Sequence, residues 1–359
     1  MSENRQQDTS VQAVTPRRRL LTAAALVPLL AGAGASAACA GTPRRTGPHH
    51  PDRDQPDHQD GPHRIGHPDP LRPAPTKAAD WSDVLKALGL PGSMVRDEYL
   101  HARAPRNDLH VVSYDVKVTS GLALGSHVAF VRYEDGSTLA MGDLTVTEGE
   151  LQKVSDTLQA RGIAQTALHK HLLAHSPDVW WIHVHAHGHD AVAIARGVRA
   201  ALDRTGTPPV KPGRPPAKPP LDLDTRQLDA TLGTKGSNDG GLYKAVFHRR
   251  ETVIDDGMLM PRGLGASTAF NFQPLGGGKA AINGDFVMVA EEVQKVLKAL
   301  RRGGISLVEL HNHGLTEEPR LFFTHFWAVG DAVELAKALR SALDVTNVVP
   351  GGGGGGGDA

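Results

Sequence analysis

Stretches with a clear apolar rhythm alternate along this chain with stretches that have none. Leu151, Val154 and Leu158 recur every third or fourth position, as do Val293, Val296 and Leu300, which predicts two amphipathic helices. Runs rich in β-branched and aromatic residues predict strands over 109–118, 128–133 and 138–146, and again over 243–248, 268–272 and 279–289. A helix is predicted ahead of each group, over 81–88 and 223–232. Thr147 with Glu150 has the spacing of a capping box, and so does Asp331 with Glu334 at the start of a last helix, whose counterpart begins near Asp190.

The same order of elements occurs twice because the chain repeats itself. Residues 142–187 align without a gap on 284–329, an offset of 142, with 16 identities in 46 positions, enough to read the halves as copies. Gly142-Asp143 matches Gly284-Asp285, Glu150 matches Glu292, and Pro177 matches Pro319. The predicted fold class is α+β: two homologous repeats, each a mainly antiparallel sheet covered by helices.

Apolar positions drift between the copies, as Trp180-Trp181 against Phe322-Phe323 shows, but three histidines do not. His169, His171 and His183 become His311, His313 and His325. Strand side chains alternate, so each His-x-His pair projects to one face with Cβ atoms about 7 Å apart, within reach of one ion. The third histidine follows on the next strand of a hairpin. A short turn at 316–319 would set His325 opposite Val308, whereas a loop over 314–320 would bring it opposite His311. Glu309 is in phase with His311 and His313, where the first copy has Ala167. Three imidazoles with a carboxylate suit Zn, Mn or Fe, and Glu309 is the candidate ligand or general base. One metal site is thus expected in each copy. Histidines hydrogen-bonded within a duplicated core, or lining an organic pocket, are the competing explanation. His185, His187 and His189 either extend the first site or decorate a strand end.

Other polar residues read more plainly. Asp143 and Asp285 after glycine are expected at strand turns, with a carboxylate aimed at the site as the alternative. Glu150 and Glu292 fit a first helical turn. Arg106 and Arg249 are expected as surface charge, and Trp327 as aromatic core. No Gly-x-Ser-x-Gly, phosphate loop, dinucleotide fingerprint or His-Glu-x-x-His helix occurs.

Lys+Arg and Asp+Glu both number 39, so no overall field favours nucleic acid, which is not expected as a partner. The one cysteine, Cys39, excludes an internal disulfide and any cysteine-based zinc site. Arg17-Arg18-Arg19-Leu20-Leu21, an apolar stretch, and Ala35-Ser36-Ala37-Ala38-Cys39 together describe an export signal. The arginines resemble a twin-arginine signal. The small residues before Cys39 resemble a lipobox, with Ser36 where leucine is usual, so lipidation at Cys39 is expected. The predicted organisation is an export signal over 1–39 and a disordered His/Pro-rich tether over 40–78. The first repeat then spans 79–205, a proline-rich linker 206–221, the second repeat 222–347 and a glycine tail 348–359.

Leu310-His311-Asn312-His313, Glu318-Pro319-Arg320, His325-Phe326-Trp327 and Gly330-Asp331, with Gly284-Asp285 and Glu292, resemble the LppY/LpqO family of exported bacterial lipoproteins, a domain of unknown function. The resemblance covers roughly 81–347. The first copy departs from it at Lys170, Asp178 and His185, which stand for Asn312, Arg320 and Trp327. It implies lipidation and location in the cell envelope, on the outer face of the cytoplasmic membrane, and supplies no activity.

The expectation is therefore an exported, lipid-anchored protein binding a divalent metal through its His-x-His…His sites. Metal-assisted hydrolysis is the reaction such a site suits. The alternative is a non-enzymatic protein that holds a metal or an envelope ligand, the latter between the copies. The small molecule or envelope ligand it meets and its oligomeric state are left open.

Overall fold

A computed structural model describes residues 69–209 and 218–351, which lie in one compact unit. The predicted export signal, Cys39, the predicted tether up to residue 68, linker residues 210–217 and the tail from 352 lie outside the described residues.

Each repeat folds into one antiparallel sheet with the same strand order. In the first, Gly92–Val95, Tyr99–Pro105, Gly125–Arg132, Thr138–Thr147, Val179–Gly188 and Ala164–His169 lie side by side. In the second the order is Ser237–Asp239, Leu242–Arg249, Ser267–Gly276, Lys279–Met288, Phe322–Asp331 and Ser306–His311. The His-x-His strand is thus an edge strand, and the strand of the third histidine lies just inside it.

Alternation along the central strands builds the layers. In Thr138–Thr147, Ala140, Leu144 and Val146 join the core under helices Ser82–Leu88, Glu148–Ala160 and Ala191–Leu202. In Lys279–Met288, Ala280, Ile282, Phe286 and Met288 do the same under Thr225–Leu232, Ala290–Arg302 and Ala332–Leu343. The predicted stripes of Leu151, Val154 and Leu158, and of Val293, Val296 and Leu300, are buried in these cores. Intervening residues point the other way, where the two sheets face each other. Tyr99, Val131 and Leu139 pack there with Met260, Val287 and Phe323, and Val179 and Trp181 with Leu242 and Trp327. The order of layers is helices, sheet, sheet, helices. Each sheet is covered on both faces, on one by helices and on the other by its own copy.

Polar contacts also join the copies. The Gln273 side chain accepts from the Thr119 amide at 2.9 Å and donates to the Lys117 carbonyl at 2.8 Å. The Thr166 hydroxyl donates to the His313 carbonyl at 2.5 Å.

Several expectations change. The stretch 109–118 holds only two-residue strands, Val112–Ser113 and Val116–Lys117, and the sheet strand before it is Tyr99–Pro105, whose Arg103 and Pro105 obscured the pattern. Arg106 and Arg249 are buried, not surface charges, with relative exposures of 1% and 2%. Arg106 donates to Glu150 and Asp108 at 2.8 Å, while Glu150 accepts from the Thr147 amide and closes the predicted cap. Arg249 makes the matching bonds to Glu292 and Glu251, with Glu292 accepting from the Val289 amide. A buried guanidinium needs such partners, so these carboxylates serve two structural ends at once. The predicted tether ends earlier than residue 78. Leu71 bonds to Gly257 and Leu259 of the second repeat, and Ala74 to Arg132 of the first. Likewise Val348–Pro350, placed in the tail, pairs with Leu242–Arg249 as an edge strand.

Candidate metal centre

The two histidine sets, expected apart, meet in one cluster. Within the first sheet His169 pairs with Trp181, and Asp143 with His183, so the third histidine lies diagonally beside the His-x-His pair. The second sheet repeats this, with His311 opposite Phe323 and Asp285 opposite His325. His325 therefore sits two positions past the partner of His311, and the loop that turns the hairpin runs from 312 to 321. Because the sheets face each other, the two histidine sets meet. His169 stacks on His311 with ring centroids 4.0 Å apart, His171 lies 3.8 Å from His325, and His183 lies 4.2 Å from His313. The pair from each copy reaches the third histidine of the other.

Three groups present ligand atoms within 4.8 Å of one another: His169, His171 and His325; His169, His183 and His311; and Asp285, His311 and His325. These clusters could hold a metal ion. The Nε2 atoms of His169 and His171 stand 2.9 Å apart, near the roughly 3.3 Å between two nitrogens on one tetrahedral ion.

The electrostatics suit ligation. Burial first, then neighbouring imidazoles, holds His169, His171 and His311 well below the usual histidine range. His183 and His313 are pushed down to about 3, again chiefly by burial. Neutral rings keep a lone pair for a metal. His325 Nδ1 lies 2.9 Å from the Gly284 carbonyl, so that nitrogen carries the proton and Nε2 is left as acceptor, directed inward. Eight buried polar atoms here have no hydrogen-bond partner among the described residues: Nε2 of His183, His313 and His325, Nδ1 of His169, both nitrogens of His311, and Oδ1 of Asp143 and Asp285. Each such atom costs about 1–3 kcal/mol when left unsatisfied, so their concentration in one place points to a ligand that satisfies them.

Asp143 and Asp285 are buried at mid-strand rather than in the turns expected of Gly-Asp. Glycine precedes them for steric reasons: a Cβ at Gly142 would fall 2.2 Å from the His127 carbonyl oxygen, and one at Gly284 2.0 Å from that of Ala269. Each carboxylate lies 3.2 Å from a His-x-His imidazole, Asp143 from His171 and Asp285 from His313, although His313 Nε2 is not aligned for a hydrogen bond. Burial raises Asp285 to about 6, with Asp143 adding to the shift. Glu309 stands outside all three groups. A β-bulge between Leu307 and Leu310 breaks the alternation on which its placement rested, and its charged neighbour is Lys170. His187 bonds to Ser137 and His185 faces Asp255, so neither extends the cluster. Trp181 and Phe323 flank it, stacked on His171 at 4.3 Å and on His313 at 3.4 Å.

A cavity of about 410 Å³ opens beside the cluster between the sheets. Its inner end is lined by Asp143, His171, His183, Asp285, His313 and His325. Its walls add His101, Arg103, His127 and Lys244, none of which stood out in the sequence. Their signal was faint: polar residues at the inward phase of otherwise apolar strands, as in His101-x-Arg103.

Residues 82–204 and 226–345 each match one protein-family model, described as Domain of Unknown Function (DUF1259). A search of curated proteins finds no match. Among solved structures, the chain is similar to the trimeric bacterial microcompartment shell protein PduB at 11% identity, covering 74% of this chain and 97% of that one, with a TM-score of 0.23. It is also similar to the double-ringed trimeric shell protein MSM0271 from the RMM microcompartment at 12% identity, covering 62% and 87%, with a TM-score of 0.16.

Proposed function

The chain belongs to the DUF1259 family, with two copies of its domain in tandem, and from that premise we propose that it binds a divalent transition metal between them. The observation that carries this is the trio His169, His171 and His325, whose ligand atoms lie within 4.8 Å of one another although they come from both copies. The partnerless atoms around it and the burial that holds His169 and His171 neutral support the same reading. Imidazoles suit Zn or Fe, and the carboxylate of Asp285 in the neighbouring group would admit Mn.

The proposed activity is metal-assisted hydrolysis. A bound ion supplies Lewis acidity and lowers the pKa of water. Asp285, pushed up to about 6 by burial, is poised to hold or release a proton near neutral pH. Asp285 takes the role first assigned to Glu309. The cavity gives a substrate access to the inner end, which favours an enzyme over a carrier whose shell is closed by protein ligands.

The proposed setting is the cell envelope, as in the LppY/LpqO lipoproteins that the motifs resemble. The basic, apolar and small-residue pattern ending at Cys39 supports export and a lipid anchor. Membrane fractionation checks it: a Cys39→Ala variant should leave the membrane pellet.

Elemental analysis of untagged full-length protein tests the metal reading. Wild type should carry bound metal, and His169→Gln/His325→Gln should lose it while keeping its far-ultraviolet circular dichroism. Equal metal in a folded double variant, or none in either protein, removes the proposal.

A further inference from the structure

Each His-x-His pair outruns the strand that carries it. The first strand ends at His169 and the second at His311, so His171 and His313 lie past the sheet ladder. The bonds that fix a carbonyl within a sheet end with the ladder. In both copies the other repeat bonds to the carbonyl of this last histidine, and it does so through residues that the duplication did not keep.

Asn283 is buried on the face of its strand that also carries Asp285, turned toward the other sheet. Its Nδ2 donates to the His171 carbonyl at 2.6 Å and to the Phe326 carbonyl at 3.3 Å. Both acceptors are carbonyl oxygens, so the amide can stand only this way round. Phe326 follows His325 in the chain. One side chain thus ties the backbone of His171, from the first repeat, to the backbone beside His325, from the second, and those two rings lie 3.8 Å apart.

The counterpart place is built differently. The offset of 142 puts Met141 where the second copy has Asn283, and a thioether has no hydrogen to donate. The His313 carbonyl instead accepts from the Thr166 hydroxyl at 2.5 Å. Thr166 sits at the β-bulge between Gln165 and Ala167, where a side chain can be re-aimed, and its own counterpart is Val308. The outcome also differs. His169, His171 and His325 bring their ligand atoms within 4.8 Å of one another, and the counterpart trio of His311, His313 and His183 is not among the groups of described residues that do so.

We propose that Asn283 is a positioning residue: by holding His171 against His325 it makes the trio of His169, His171 and His325, rather than its counterpart, the place where metal is held. The inference rests on the metal reading above and adds which half of the cluster serves it and what keeps that half in place. A bond to the backbone of a ligating residue acts as other outer partners of metal sites do, by fixing where the ring can reach.

Titration of the chelator-treated full chain with cobalt(II) tests this, followed through the visible absorption of the bound ion, which reports its coordination geometry. Asn283→Met, which installs the first copy's residue, should weaken binding about 10–100-fold and alter the spectrum. Thr166→Val should leave affinity and spectrum as in wild type, because His313 stands outside the trio. Should Asn283→Met fail to fold, Asn283→Ala removes the amide without adding bulk and carries the same expectations. Wild-type affinity and spectrum in a folded Asn283 variant overturn the proposal, and so does a loss in Thr166→Val equal to that in Asn283→Met. A wild-type protein that takes up no cobalt removes the metal reading itself, and this inference with it.

Discussion

His169 stacks on His311, its own counterpart 142 residues later, with ring centroids 4.0 Å apart and planes 19° from parallel. The two residues stand at the centre of the histidine cluster, and each belongs to a different sheet.

Substitution in either copy should disable one common site. His171→Ala and His325→Ala lie in different repeats yet approach to 3.8 Å. Each should lower metal affinity by more than the 10–100-fold typical of losing a supporting residue. Two independent sites would instead leave half the metal bound tightly. Competition titration with a chromophoric chelator separates these outcomes.

Removing metal should lower thermal stability. An ion present at one hundred times its dissociation constant stabilises the folded chain by about 2.7 kcal/mol, so chelation should shift the midpoint down by several degrees. A midpoint indifferent to chelator and to added zinc would count against the cluster as a metal site.

The metal-free protein should also weaken in acid. Unfolded histidine titrates near 6.5, while His183 and His313 are held at about 3. Between those values the unfolded chain binds more protons, so stability falls as pH drops from 6.5 toward 3 and has no such slope above 6.5. Asp285, raised from 3.8 to about 6, acts in the opposite sense between those values. Two histidines outweigh one aspartate, and the melting midpoint should decrease from pH 6.5 to pH 4. A flat or rising midpoint over that interval contradicts the burial of neutral imidazoles.

The arginine staples should matter to the fold. Arg106→Met leaves the partly buried Glu150 and Asp108 without their cation, and Arg249→Met does the same to Glu292 and Glu251. Breaking a buried pair costs roughly 3–5 kcal/mol. Denaturant titration should show a loss of that order in each variant.

Gly142→Ala should be among the most damaging small changes. The added methyl would meet the carbonyl of His127, which belongs to the backbone and cannot swing aside. Overpacking of this kind costs about 1–3 kcal/mol, and here it also moves Asp143. A lower midpoint together with weaker metal uptake is expected, and Gly284→Ala should behave alike.

Much of this fold was legible beforehand, for identifiable reasons. The stripes at Leu151, Val154 and Leu158, and at Val293, Val296 and Leu300, report a periodicity that belongs to the helix itself. The duplication reports itself through its constant offset. The strand Tyr99–Pro105 was missed because one of its faces carries His101 and Arg103 toward the cavity, which looks like a loop when the cavity is unknown. The histidines were legible as a set but not as a single site, because no pattern along one chain states that two sheets pack face to face. Arg106 and Arg249 were misplaced for a related reason: burial of a charge depends on Glu150 and Glu292, which are distant in sequence.

The pairing of the repeats sets a rule for what a shorter relative could do. Half of this molecule carries a His-x-His pair, and in two of the three candidate ligand groups an imidazole of the other half joins it. A protein with one such domain would have to form a twofold homodimer to own the same centre, with its ligands split across a subunit boundary and its occupancy dependent on concentration. Fusion into one polypeptide removes that dependence, and it frees the two halves to diverge around the cluster they jointly form.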